Sequence, residues 1–207
     1  GIEWKIIPTI QIRPRQQGGS TLALLQQLRN HDVSDNENIR RYHHMKVNDV
    51  HKFDSTHSLR EIYDLTKDFQ MDSILSLDMS LSMPMDVRPT PLAIALSKIL
   101  PNLREINLSN IGTDTIVLEH FSRFCPQFEK LTWNNITKET LISFDDWNTM
   151  SSAKNLKEII MDDAEFYDSD SDEWVDDEMS IIDDTRGSRF LFCHCSKALE
   201  RVSIRNM

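Results

Sequence analysis

The chain has 207 residues, 39% of them hydrophobic, and carries 33 acidic against 23 basic side chains for a net charge of −10. That length fits one domain with an elongated core, the acidic balance disfavours phosphate-rich partners, nucleic acid among them, and no run approaches the roughly 20 apolar residues of a membrane span. With no signal-peptide pattern and only 3 cysteines in no regular framework, an intracellular, reducing setting, cytoplasm or nucleus, is expected.

In chain order, one phrase of the form apolar-x-x-apolar-x-apolar keeps returning. Its weakest copy is IPTIQIRPR, from Ile7 to Arg15, followed by a Gly18-Gly19 turn and a helix over STLALLQQL that Ser20 or Thr21 can cap. The phrase YHHMKVNDV (Tyr42 to Val50) precedes a helix predicted over Thr56 to Lys67. ILSLDMSLS (Ile74 to Ser82) leads to a helix opened by Thr90 with Pro91 at its first position, over PLAIALSKIL. LREINLSNI (Leu103 to Ile111) precedes a helix over Thr113 to Phe124, and FEKLTWNNI (Phe128 to Ile136) a short or broken helix between Thr137 and Ser152. LKEIIMDDA (Leu156 to Ala164) runs into a strongly acidic stretch, and LERVSIRNM (Leu199 to Met207) closes the chain. Counted from the first apolar position, the steps are 35, 32, 29, 25, 28 and 43 residues, the last lengthened by the acidic insertion at 162–184.

Alternating strand and helix imply an α/β solenoid of about seven repeats, with a concave parallel sheet backed by helices. Ile10, Met45, Leu77, Ile106, Leu131, Ile159 and Val202 take the fourth phrase position, and Ile12, Val47, Met79, Leu108, Trp133, Met161 and Ile204 the sixth. They are expected to form two buried ladders. Register is supported by the charges. Arg104, Glu129, Lys157 and Glu200 at the second position, and Glu105, Lys130, Glu158 and Arg201 at the third, alternate in sign in opposite phase. Lys46 beside Asp78 and Asp162 beside Arg205 continue the pattern, and opposite charges across adjacent strands favour pairing.

The segment LREINLSNIGTDTIVLEHFSRFCPQFEKL resembles the ribonuclease-inhibitor-like and cysteine-containing leucine-rich repeats, including those of F-box substrate adaptors. Gly112-Thr113-Asp114, Cys125-Pro126 and the apolar ladder carry the resemblance. The family usually has Asn or Cys at the ninth phrase position, where this chain has Val50, Ser82, Ile111, Ile136, Ala164 and Met207. Asp49, Asn110, Asn135, Asp163 and Asn206, one position earlier, are candidates to take over the missing bonds to loop backbone. The resemblance implies substrate recognition within a ubiquitin-ligase adaptor as one function. No F-box is visible, and the chain, which starts without Met, is expected to be a piece of a longer protein.

From the repeat pattern itself, a non-enzymatic protein-interaction scaffold is the expected function, because a solenoid presents a broad sheet and no nucleophile, base and oxyanion group can be assembled from these spacings. The candidate contact residues on the concave face are Lys46, Asp78, Asn107, Thr132, Asn134, Asp162, Ser203 and Arg205. The stretch from Met161 to Asp184 holds twelve carboxylates and no Lys or Arg, which suits a solvated loop. Asp168, Asp170, Asp172 and Asp176 match part of a calcium loop. Glu173 and Met179 break that pattern where its geometry is strict, leaving weak divalent-cation binding. Ser169 and Ser171 are candidate sites for an acid-directed kinase, and Trp174, Val175, Ile181 and Ile182 for a short partner anchor. Cys193-His194-Cys195 lacks a second ligand pair at zinc spacing, as do the clustered His43, His44, His51 and His57. No metal or cofactor is expected.

Overall fold

Short apolar-polar alternation suits strands of three or four residues, and the longer segments of helical period bridge them. In chain order the elements are β1 (Thr9–Ile12), α1 (Thr21–Ser34), β2 (His44–Val47), a 3-10 turn (Val50–Lys52), α2 (Leu59–Thr66), β3 (Ser76–Asp78), β4 (Met85–Asp86) and α3 (Thr90–Ile99). They continue with β5 (Glu105–Asn107), β6 (Ile111–Gly112), α4 (Ile116–Phe124), β7 (Lys130–Thr132), β8 (Glu158–Ile160) and β9 (Arg201–Ser203). This computed structural model describes residues 9–13, 20–34, 42–52, 59–86, 89–112, 116–136, 153–163 and 197–205. The expected helix within 137–152, the Gly18-Gly19 turn, His57, Asn206, Met207, Cys193-His194-Cys195 and the acidic insertion beyond Asp163, with Ser169 and Ser171, lie outside these residues.

Every phrase supplies one strand of a single open parallel sheet in the order β1-β2-β3-β5-β7-β8-β9. The register is the one counted from the phrases: Ile10, Met45, Leu77, Ile106, Leu131, Ile159 and Val202 stand in one row across all seven strands. The ladder continues past the strand ends. The sixth-position amides of Met79, Leu108, Trp133 and Met161 donate to the carbonyls of Asn107, Thr132, Ile160 and Ser203 at 2.8 to 2.9 Å.

One face of the sheet is sealed. From Met45 to Ile159 the fourth-position side chains are buried, as are Val47, Met79, Leu108, Trp133 and Met161 at the sixth, and they share one core with Leu25, Leu28, Ile62, Leu92, Leu96 and Phe121 from the helices. Trp133 fits at this position without exposure, and its indole N–H donates to the Ile111 carbonyl at 2.9 Å. Burying an aromatic of this size needs a partner for its N–H, and the preceding phrase provides it. On the edge strands the expected ladders are less covered: Ile10 and Ile204 are half-buried and Val202 is 37% exposed.

Helix α3 packs between α2 and α4 and buries Leu92, Ala93, Ile94, Ala95, Leu96, Ser97 and Ile99, which is why its sequence is apolar nearly all round. It begins one residue earlier than expected. Pro89 is the N-cap, Thr90 opens the helix, and Pro91 sits inside the first turn, where a missing N–H costs no helical bond. At α1 the choice between two caps falls to Ser20, whose Oγ accepts from the Ala23 amide at 3.3 Å. Cys125 is buried before β7, its thiol facing the carbonyls of Ser97 and Leu100.

Candidate functional site

Side chains of a strand alternate between faces, so the third and fifth phrase positions share the face opposite the helices. His44, Ser76, Glu105, Lys130, Glu158 and Arg201 form one row there. Lys46, Asp78, Asn107, Thr132, Ile160 and Ser203 form the second. The sequence-based candidates Lys46, Asp78, Asn107, Thr132 and Ser203 therefore come together on one continuous surface. Asn134, Asp162 and Arg205, at the seventh position, lie just past the strand ends and form its rim. The third-position row was not among the candidates, although the same period of two that places the fifth position places it as well. Ile160 breaks the polar character of the second row.

Lateral charge pairing organises this face. Lys46 Nζ donates to Asp78 Oδ2 at 2.8 Å, Lys130 Nζ lies 2.8 Å from Glu158 Oε2, and Arg201 lies 3.0 Å from Glu158 Oε1. Arg205 Nη2 donates to Asp162 Oδ2 at 2.7 Å, and Ser203 Oγ to Asp162 Oδ1 at 3.0 Å. At the second position Lys157 reaches Glu129 at 3.3 Å. Glu105 stands in register with Lys130, yet Lys130 turns to Glu158 on its other side.

These bonds hold three carboxyls ionised. Burial pushes the Asp78 carboxyl up, but the hydrogen bonds from Lys46 and from the Ser80 hydroxyl and amide outweigh it, and the group titrates below its ordinary value. The Lys130 ammonium lowers the Glu158 carboxyl, and the Arg205 guanidinium, helped by Ser203, lowers that of Asp162. Asn107 is fixed more locally, its Oδ1 accepting the Ser109 amide at 3.0 Å. Asn134 Oδ1 accepts the Asp162 amide at 2.9 Å, so this candidate is tied to the rim backbone.

Past the rim the chain turns at the eighth phrase position. Asp49, Asn110, Asn135 and Asp163 adopt positive φ, at 51°, 66°, 56° and 57°. Asn and Asp tolerate this left-handed backbone better than other residues with a Cβ. The Asn110 amide group donates to the Leu81 carbonyl at 2.7 Å, and the Asn135 amide group to Asn110 Oδ1 at 2.7 Å. The expected bonding to loop backbone is thus present at Asn110. At the ninth position Val50, Ile111 and Ile136 are buried in the core, whereas Ser82 is exposed.

In the middle of the open face is a hollow of about 240 Å³. The strand backbone at Leu77 and Ile106 forms its floor, their side chains being buried on the other face, and His44, Ser76, Asp78, Glu105, Asn107, Lys130 and Thr132 form its sides. Among the described residues no group of three or more His, Cys, Asp or Glu is placed to hold a metal ion, and no helix is long and apolar enough to cross a membrane. No protein-family model and no curated protein matches the chain.

Proposed function

We propose that this chain is a leucine-rich-repeat-type solenoid that acts as a non-enzymatic interaction scaffold, binding a protein partner across the open face of its parallel sheet. The observation that supports it best is the division of labour between the two faces. All seven strands hold one register, one side is sealed by apolar ladders, and the other presents two rows that are polar but for Ile160. A surface of this kind is rigid because each strand is held by its neighbours, so little ordering cost is left for binding.

The test is capture followed by mapping. Partners retained from cell extract by the wild-type chain are compared with those retained by Thr132→Arg, which crowds the open face, and by Asp64→Arg, on an exposed position of α2. The scaffold reading expects a partner lost from Thr132→Arg and kept by Asp64→Arg, with matching melting curves and cross-links falling on β3, β5 and β7. A partner that follows the reverse pattern overturns it.

A further inference from the structure

Within the hollow on the open face, the charges do not cancel. Asp78 is paired with Lys46, and Lys130 with Glu158. Glu105 is exposed, lies at the centre of the hollow's wall between Ser76 and Lys130, and forms no ion pair with a described residue. With Asp78 balanced by Lys46 and Lys130 by Glu158, Glu105 is the carboxylate of the lining left without a counter-charge among the described residues. At about 240 Å³ the hollow is smaller than the roughly 300 to 1,000 Å³ of pockets that engulf small molecules. It has room for a single side chain. The chain's net charge of −10 adds a long-range field of the same sign.

We propose that the hollow receives one basic side chain, arginine or lysine, from a basic segment of a partner protein, with Glu105 as its counter-ion. A guanidinium suits this wall well, because its fork can take both oxygens of a carboxylate that no described residue pairs with. The Thr132 hydroxyl and the Asn107 side chain stand on the neighbouring positions of the same wall, and the strand backbone at Leu77 and Ile106, whose side chains are buried on the other face, closes the bottom. The inference rests on the open-face reading and names the chemistry of its occupant.

The experiment titrates isotope-labelled chain with a short peptide of alternating arginine and glycine, and separately with its glutamate counterpart, at about 0.15 M salt, where surface charges beyond roughly 8 Å are screened. The arginine peptide is expected to move the amide signals of Glu105, Asn107 and Thr132. Glu105→Gln should weaken it at least fivefold, while Glu200→Gln, which changes net charge equally from an exposed position outside the hollow, should leave it unaltered. Equal weakening by both variants would mean diffuse attraction and overturn the proposal. So would shifts elsewhere on the chain, or no shifts. A partner captured by the open face in a Thr132-dependent, Glu105-independent way would leave the scaffold reading standing and remove this one.

Discussion

Trp133 offers the sharpest test of how successive phrases are joined. Its ring is fully buried at the sixth phrase position, just past the end of β7, and its N–H ends on the Ile111 carbonyl, 22 residues earlier, in the short strand β6 that pairs with β4. Trp133→Phe keeps most of the ring and removes only the donor. Leaving a buried acceptor without that donor costs about 1 to 3 kcal/mol, whereas truncation to Ala also empties the ring's volume, a change worth about 3 to 5 kcal/mol by itself. For a chain of this length each kcal/mol moves the melting temperature by about 2 to 4 °C. Trp133→Phe is therefore expected to melt about 2 to 12 °C lower, with the urea midpoint reduced at constant slope. Amide exchange at Ile111 and Gly112 should accelerate more than at Leu77, which lies two strands away. A Trp133→Phe variant within about 0.5 kcal/mol of wild type, with unchanged exchange at Gly112, would show that ring volume alone matters and refute the link between phrases.

Leu131→Asp places an unpaired carboxylate in the sealed ladder, at a cost of several kcal/mol, and should abolish cooperative melting, whereas Thr132→Ala next to it on the open face should stay within about 0.5 kcal/mol. Circular-dichroism melts with the reverse ranking would mean that the faces are exchanged. The carboxyls of Asp78, Glu158 and Asp162 lie below their ordinary values of 3.8, 4.5 and 3.8. Their contribution is accordingly complete above the ordinary carboxylate range and is lost as the pH falls through the depressed values. Asp78→Asn should lower the urea midpoint at pH 6, and the gap to wild type should close toward pH 2; a gap that widens in acid would contradict the sign. Burial pushes the Cys125 thiol up to about 12, so in a Cys193→Ser, Cys195→Ser background a disulfide reagent should react with it only as fast as the chain opens. Rapid labelling under native conditions would place the thiol at the surface.

Much of this architecture was legible in the residues. A strand of three residues carries little information alone, but seven copies of one spacing, with charges that alternate laterally, restrict the register to the one observed from Thr9 to Ser203. The apolar fourth and sixth positions were readable because a buried ladder tolerates no polar substitute. The third-position half of the open face was legible too, since period two places Glu105 and Lys130 on the same face as the fifth-position residues. Two features were not readable from composition. The pairing of β4 with β6 involves two residues per strand, too few to leave a periodic signal. The direction of Lys130 toward Glu158 instead of Glu105 depends on side-chain rotamers, which spacing does not encode. Along 164–196 no repeat of the phrase guides a reading.

The left-handed corners at Asp49, Asn110, Asn135 and Asp163 have a further consequence. A parallel array in which every strand shows the same alternation is vulnerable to slippage by two residues, because such a shift keeps apolar side chains inside and polar ones outside. Only something without that period can forbid it. A two-residue slip would carry the positive-φ corner onto the buried sixth-position residues Val47, Leu108, Trp133 and Met161, where a bulky or β-branched side chain makes that backbone strongly unfavourable. Each of these four asparagines and aspartates therefore works as a phase mark for its own phrase, and Asn135 bonded to Asn110 passes that phase from one copy to the next.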